Sequence, residues 1–351
     1  MMMQNRDIFP PYYNGEELFE LMCIRAGKDG RNEVLFGGCM EKAIELGRPF
    51  IVGNRFPCIF LECPLKGDPF LDLTFLYGQL PEGVSIKSRY AEKSIDVLSC
   101  YSDMRAHYPD INFGFEIDTS REDPGMAAVH FEPRNHTELV APFCASIGEA
   151  KSGELYLETA AKLADSFPLS YFGMFRGRSD SPLRVCGYLG KGERESIIKD
   201  RDHLLRLFDT VGFTAYDDAM AGIIVNIIKL APRDVDYQLD IYPDRKAGEI
   251  FSLDIRLPEK TAEDIKRSFK TGTSAAFLSR LCDLGIVDGR IDMLCDMATS
   301  KVFPGTNKAG KPAGCVMLIR PEWIKIRWNG AILQNAKCYS SMKGGYISYE
   351  Q

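Results

Sequence analysis

The stretch Trp323–Tyr339, "WIKIRWNGAILQNAKCY", alternates residue by residue on either side of Asn329–Gly330. Ile324 and Ile326 fall on one face, Lys325 and Arg327 on the other. Past the turn, Ala336 and Cys338 oppose Lys337 and Tyr339. A period of two belongs to a strand with two unlike faces, and Asn-Gly flanked by such strands is a strong hairpin signal. The stretch therefore reads as a hairpin with one apolar face and one face of three cations and a phenol.

Working back along the chain, the same pattern recurs in pairs. "PCIFLECPL" with "FLDLTFLYG", "INFGFEIDTS" with "MAAVHFEP", "PLSYFGMFRGR" with "PLRVCGYLG", and "VDYQLDIYPD" with "EIFSLDIRLP" each read as two strands about a short turn. With the last hairpin and "AGCVMLIR" before it, this makes about five pairs. Between them lie segments with apolar residues at helical spacing, among them "AEKSIDVLSCYSDMRAHY", "SGELYLETAAKLADSF", "ERESIIKDRDHLLRLFDTVG" and "TAEDIKRSFK". Helices mostly come in twos, then strands in twos, without sequence self-similarity.

The faces decide the assembly. Phe113, Phe115, Ile117, Val185, Leu239, Leu253 and Ile255 are apolar; Glu116, Asp118, Arg184, Tyr188, Gln238, Asp240, Tyr242, Asp254 and Arg256 oppose them. One face is thus buried under the helices. The other is rich in Tyr, Arg and Asp and poor in Lys, unlike a solvated surface. A sheet of about ten antiparallel strands also tends to close, which removes exposed edges. The expected fold is α+β: a closed antiparallel barrel with helices outside and a polar, aromatic lumen.

Composition narrows the function classes. The chain has 351 residues, 45% hydrophobic and 26% charged, enough for one large domain or two ordinary ones. A formal charge of −6 lacks the basic excess of nucleic-acid binders. The 11 cysteines are scattered, without a Cys-x-x-Cys pair, so no zinc site is expected and a reducing cytoplasm suits them. The opening residues lack a signal-type apolar core, and "MAGIIVNIIKLAP" is too short for a membrane span. The expectation is a soluble, cytoplasmic protein with neither nucleic acid nor membrane as partner.

Several motifs mislead. "GTNKAGKP" has phosphate-loop spacing, but Pro312 follows Lys311 where Ser or Thr should stand, and a strand follows where a helix should. It reads as a surface turn. Arg176 and Arg178 in "GMFRGRSDSP" read equally as a solvated turn or an anion contact. The four histidines lack ligand spacing, and no Gly-x-Ser-x-Gly or Asp-Asp-x-x-Asp occurs.

A barrel of paired helices and paired strands resembles the prenyltransferase barrel of soluble aromatic prenyltransferases over about residues 55–342. In their indole-prenylating branch a glutamate lies on an early strand whose partner ends in Glu-Pro. "FGFEIDT" followed by "AAVHFEP" makes Glu116 its counterpart. The family also repeats a basic residue and a tyrosine two apart, which Lys337–Cys338–Tyr339 matches. Departures exist: Ala128 stands where an arginine is expected, Arg184 and Tyr188 are four apart, and Asp240 and Tyr242 replace a basic-x-Tyr pair.

The resemblance implies a single domain over residues 1–351, with residues 1–55 a helical region packed on the barrel. It implies transfer of a prenyl group from an allylic isoprenoid diphosphate to an aromatic small molecule or peptide. Glu116 would be the proton acceptor. Arg184, Arg256, Lys325, Arg327 and Lys337 would hold the diphosphate, and Tyr188, Tyr242 and Tyr339 would shield the allylic cation through their ring faces. Asp118, His130 and Asp240 would contact the acceptor. No cofactor is required; magnesium beside the diphosphate is an option that carboxylate oxygens suit. Each cation has an alternative role, a lumen salt bridge with Asp118, Asp236, Asp240 or Asp254. Two other functions fit the same barrel: an enzyme modifying a peptide or metabolite by another reaction, or an inert binding protein.

Overall fold

A computed structural model describes residues 15–51, 58–77, 97–119, 128–175, 181–306 and 312–348. Its strands are β1 (Cys58–Pro64), β2 (Asp72–Tyr77), β3 (Asn112–Asp118), β4 (Ala128–Glu132), β5 (Leu169–Met174), β6 (Leu183–Leu189), β7 (Val235–Ile241), β8 (Ala247–Arg256), β9 (Thr299–Thr306), β10 (Pro312–Asn329) and β11 (Ile332–Ser348). Neighbours pair in the order β11-β1-β2-β3-β4-β5-β6-β7-β8-β10, and β10 also pairs with β11. That last pairing closes a ring of ten antiparallel strands. The expected barrel and all five strand pairs are present.

Two strand features differ from expectation. First, β9 is an additional strand; "TSKVFPGT" contains Pro and Gly and no clean alternation. It lies outside the ring, pairing only with Pro312–Ile319 of β10. Second, "AGCVMLIR" is no separate strand but the first half of β10, joined to the second half through an irregularity between Pro321 and Trp323. The hairpin thus projects beyond the barrel wall as a three-stranded ribbon with β9. Its turn is centred on Gly330–Ala331, one residue later than the Asn-Gly signal places it, with Gly330 at φ 56°.

The wall shows why these sequences make strands. Side chains of Ile59, Leu61, Phe75, Phe113, Phe131, Val185, Leu239, Leu253, Ile324, Ile326 and Cys338 are buried on the outer face. The main core therefore lies between barrel and helices. The helices supply matching stripes. In the helix Asp202–Val211, Leu204, Leu207, Phe208 and Val211 recur at helical spacing and are all buried. The next helix, Asp218–Leu230, starts at Asp217, whose carboxylate accepts from the Met220 amide, while Gly212 at φ 69° ends the one before it. Gly187 allows a close approach instead of a turn. A Cβ there would run into the Tyr237 ring, which lies across it and whose hydroxyl donates to the Phe167 carbonyl.

In the N-terminal region, the helix Gly15–Ala26 packs against β10 and the helix Met40–Gly47 against β2. Arg176 and Arg178 lie outside the described residues, as does the centre of "GTNKAGKP"; Pro312 after it begins β10, a strand. Among the described residues no helix is long and apolar enough to cross a membrane.

Candidate active site

Alternation aims the second face of every wall strand into the lumen. Register then sets who meets whom. Lys325 lies between Asp254 on β8 and Lys337 on β11, and Arg327 between Ser252 and Asn335. Arg184 on β6 pairs in register with Gly173 on one side and Asp240 on the other. Glu62, Asp72 and Asp118 are adjacent on β1, β2 and β3.

The lumen holds two chambers that meet at Glu116, Arg184, Lys325 and Tyr339. The first, about 850 Å³ including its open mouth, is walled by Phe60, Leu76, Tyr171, Trp323 and His130. Trp323 stacks on Tyr339 at 4.9 Å and 14°, and Phe60 tilts against Trp323 at 4.5 Å. The second, about 1110 Å³ with its mouth, is walled by Glu62, Asp72, Asp118, Asp240, Arg327 and Lys337.

At the waist, Glu116 Oε2 lies 2.9 Å from His130 Nε2. Burial works to raise the Glu116 pKa, but the His130 hydrogen bond and the charges of His130, Lys325 and Arg184 outweigh it. The carboxyl is held well below its ordinary range. Gly173 makes room for the pair, since a Cβ there would sit 2.8 Å from His130 Nδ1. Opposite, Lys325 Nζ donates to the Tyr339 hydroxyl at 3.0 Å and lies 4.9 Å from the Tyr339 ring centroid. Burial, then the carboxylates of Glu62, Glu116 and Asp254, push the Tyr339 phenol well up, so it stays neutral.

The expected cations divide into two groups. Arg184 grips Asp240 with two bonds of 2.8 and 3.0 Å, Arg256 holds Asp236 at 2.9 Å, and Lys337 reaches Glu62 at 2.6 Å. All three are in salt bridges, Arg184 and Arg256 with two of the expected aspartates and Lys337 with Glu62, which the sequence reading does not name as a partner. Among the described residues Lys325 bonds only Tyr339, and Arg327 has no ion-pair partner. Burial and then Arg184 pull the Arg327 pKa down, the mark of a desolvated cation short of negative neighbours.

Among the aromatic and polar candidates, Tyr339 sits at the waist and Tyr242, 39% exposed, lines the second chamber. Tyr188 lies away from both: it is 41% exposed at the end of β6, with its hydroxyl on Asp234. It stands next to the last residue of β6 and lines neither chamber, although it shares the face of Arg184. His130 lines the first chamber; Asp118 and Asp240 line the second, where Asp240 is occupied by Arg184.

Sequence reasoning missed Glu62, Asp72, Tyr171 and Trp323. Glu62 and Asp72 were visible as lone acids inside the apolar runs "FLECP" and "FLDL", where period two turns them inward. Burial, then Glu62, Asp118 and Glu116, push Asp72 up to about 9, so it is protonated at neutral pH. Even so, among the described residues that line the two chambers, Glu62, Glu116, Asp118, Glu132, Asp240 and Asp254 outnumber Arg184, Arg256, Lys325, Arg327 and Lys337. Among the described residues no group of three or more His, Cys, Asp and Glu side chains is arranged to hold a metal ion.

No protein-family model matches the chain, and no curated protein does. Solved structures do. The prenyltransferase PriB in its apo form is 11% identical, with 96% of each chain covered and a TM-score of 0.54. PriB in ternary complex with L-tryptophan and dimethylallyl thiolodiphosphate is also 11% identical over 96% of each chain, with a TM-score of 0.50. NotF prenyltransferase is 11% identical over 97% of this chain and 96% of its own, with a TM-score of 0.49. The chain has the fold of the aromatic prenyltransferase barrels.

Proposed function

We propose that the barrel transfers a prenyl group from an allylic isoprenoid diphosphate to the indole or phenol ring of an aromatic acceptor. The observation that carries this reading is the waist: an ionised carboxylate backed by His130 faces Lys325 and Tyr339, between an aromatic chamber and a chamber holding Arg327. Diphosphate oxygens accept from Arg327 and Lys325. The allylic C–O bond breaks, its electron pair leaving with diphosphate, and the two fixed cations stabilise the departing charge in a water-poor lumen. The allylic cation forms beside the Tyr339 and Trp323 rings, whose faces stabilise it and exclude water. The acceptor ring supplies the pair for the new C–C bond, and its proton passes to Glu116. A weakly basic carboxylate suffices, because the protonated ring formed in that step is itself strongly acidic.

No metal is routed through this scheme, and we propose that none is resident; transfer in EDTA-treated protein checks that point. The compartment proposed is the cytoplasm.

One observation favours a second reading. Arg184, Arg256 and Lys337 are already neutralised by buried carboxylates, and the acidic surplus opposes a diphosphate. A barrel that binds a cationic or neutral ligand without prenyl transfer fits that balance. Incubation with dimethylallyl, geranyl and farnesyl diphosphates and a panel of indoles and phenols separates the two. Released diphosphate with a prenyl mass on the acceptor supports transfer; donor neither bound nor consumed supports the second reading.

A further inference from the structure

Among the described residues that line the aromatic chamber, two buried acceptors and one buried donor, Trp323 Nε1, have no hydrogen-bond partner, and the two acceptors sit side by side on neighbouring strands. Asp254 and Gln238 face the lumen from adjacent strands, 3% and 4% exposed. The Gln238 amide donates from Nε2 to the Tyr171 hydroxyl at 3.0 Å and to Asp254 Oδ2 at 2.5 Å. That fixes its orientation, since the reversed amide would set one acceptor against another. Asp254 Oδ1 and Gln238 Oε1 are left buried and without partners. A buried unpaired carboxylate oxygen costs free energy that a bound donor recovers, and a cation recovers most.

We propose that this chamber binds a protonated primary amine carried on a flat ring, its ammonium seated on Asp254 Oδ1 and Gln238 Oε1, and prefers it to the matching α-amino acid. The ring has a surface to lie on in the Phe60–Trp323–Tyr339 stack. The ammonium has a carboxylate and an amide oxygen that complement its N–H groups. The preference follows from the neighbours. An amino acid would set its carboxylate beside Asp254. The chamber's guanidinium groups, Arg184 and Arg256, are already held by Asp240 and Asp236. Of the chamber's cations, Lys325, bonded to Tyr339, is left for a second anion. The inference rests on the lumen being the acceptor chamber and does not require prenyl transfer.

Calorimetric titration of the full chain, without any diphosphate, tests it with two matched sets. These are tryptamine, 3-ethylindole and L-tryptophan, and tyramine, 4-ethylphenol and L-tyrosine. In at least one set the amine binds more than about tenfold tighter than its neutral and its amino-acid counterparts, about 1.4 kcal/mol. Asp254→Asn brings the amine down to the level of the neutral compound. Gln238→Ala, which keeps the carboxylate, lowers the amine's advantage without abolishing it and serves where Asp254→Asn does not fold. Equal binding of amine and neutral compound, tighter binding of the amino acid, or no binding of either amine overturns the proposal. Because no donor is present, failure of prenyl transfer leaves this result intact.

Discussion

The two chambers share one ten-stranded barrel, yet they solve the problem of buried charge differently. In the charged chamber, among the described residues, Arg184 and Lys337 are held by carboxylates, and the cations without a carboxylate partner are Arg327 and Lys325. In the aromatic chamber, among the described residues, the exceptions are two acceptors, Asp254 Oδ1 and Gln238 Oε1, and one donor, Trp323 Nε1. Unpaired groups in a lumen of otherwise matched pairs mark where a ligand would complete the set. One chamber offers cations to an anion; the other offers a carboxylate and an amide oxygen to a donor, beside the Trp323 N–H. The contrast separates where diphosphate would sit from where an acceptor would sit.

Replacing the free and paired cations together tests the contrast most severely. Arg327→Ala with Lys337→Ala should lower transfer by about a thousandfold, as loss of preorganised charge does, with circular dichroism unchanged. An activity near wild type would remove the diphosphate assignment from that chamber. Glu116→Gln keeps the shape of the waist and removes its proton acceptor. Transfer should fall about a hundredfold while affinity for the donor holds, a split visible in steady-state kinetics. If donor affinity falls with it, the waist does not divide the two roles.

A milder probe perturbs the waist without touching its charges. Gly173→Ala must push the His130 ring away from its place beside Glu116. A rate loss of about tenfold with intact donor binding is expected, as for a small displacement near the chemistry. The smallest effect concerns stability. Asp72 carries its proton up to about pH 9 when folded, against about 3.9 unfolded. The folded state therefore binds the extra proton, and this group's contribution is complete below pH 4 and fades as pH rises toward 9. Asp72→Asn removes that dependence. Urea titrations at pH 5 and pH 9 should show the variant gaining on wild type by more than about 1 kcal/mol at the higher pH. A constant difference would mean that Asp72 is ionised in the fold.

Much of the wall was legible because a period of two survives burial on one side. Val185 and Arg184, or Ile326 and Arg327, announce opposite faces wherever the strand ends up. Closure followed from the character of the second face. What could not be read was pairing inside the lumen. Arg184 and Asp240 are 56 residues apart and meet only through register, and Lys337 and Glu62 are 275 apart across the closing seam. Sequence marked all five cations alike, whereas register commits three of them to carboxylates. Tyr188 shows the other limit, since facing inward does not place a residue deep enough to line a chamber. And β9 carries no such signal because a strand outside the ring needs no alternation; it pairs with the first half of β10 alone.

The most direct measurement is a titration of dimethylallyl thiolodiphosphate into the full chain, followed by a crystal structure of the complex. Saturable binding is predicted, weakened at least about tenfold by Arg327→Ala, as removal of a charged hydrogen-bond partner does. Diphosphate oxygens should lie on Arg327 and Lys325, with the allyl chain toward Tyr339. No binding at millimolar analogue, or a diphosphate bound elsewhere with Arg327 untouched, would contradict it.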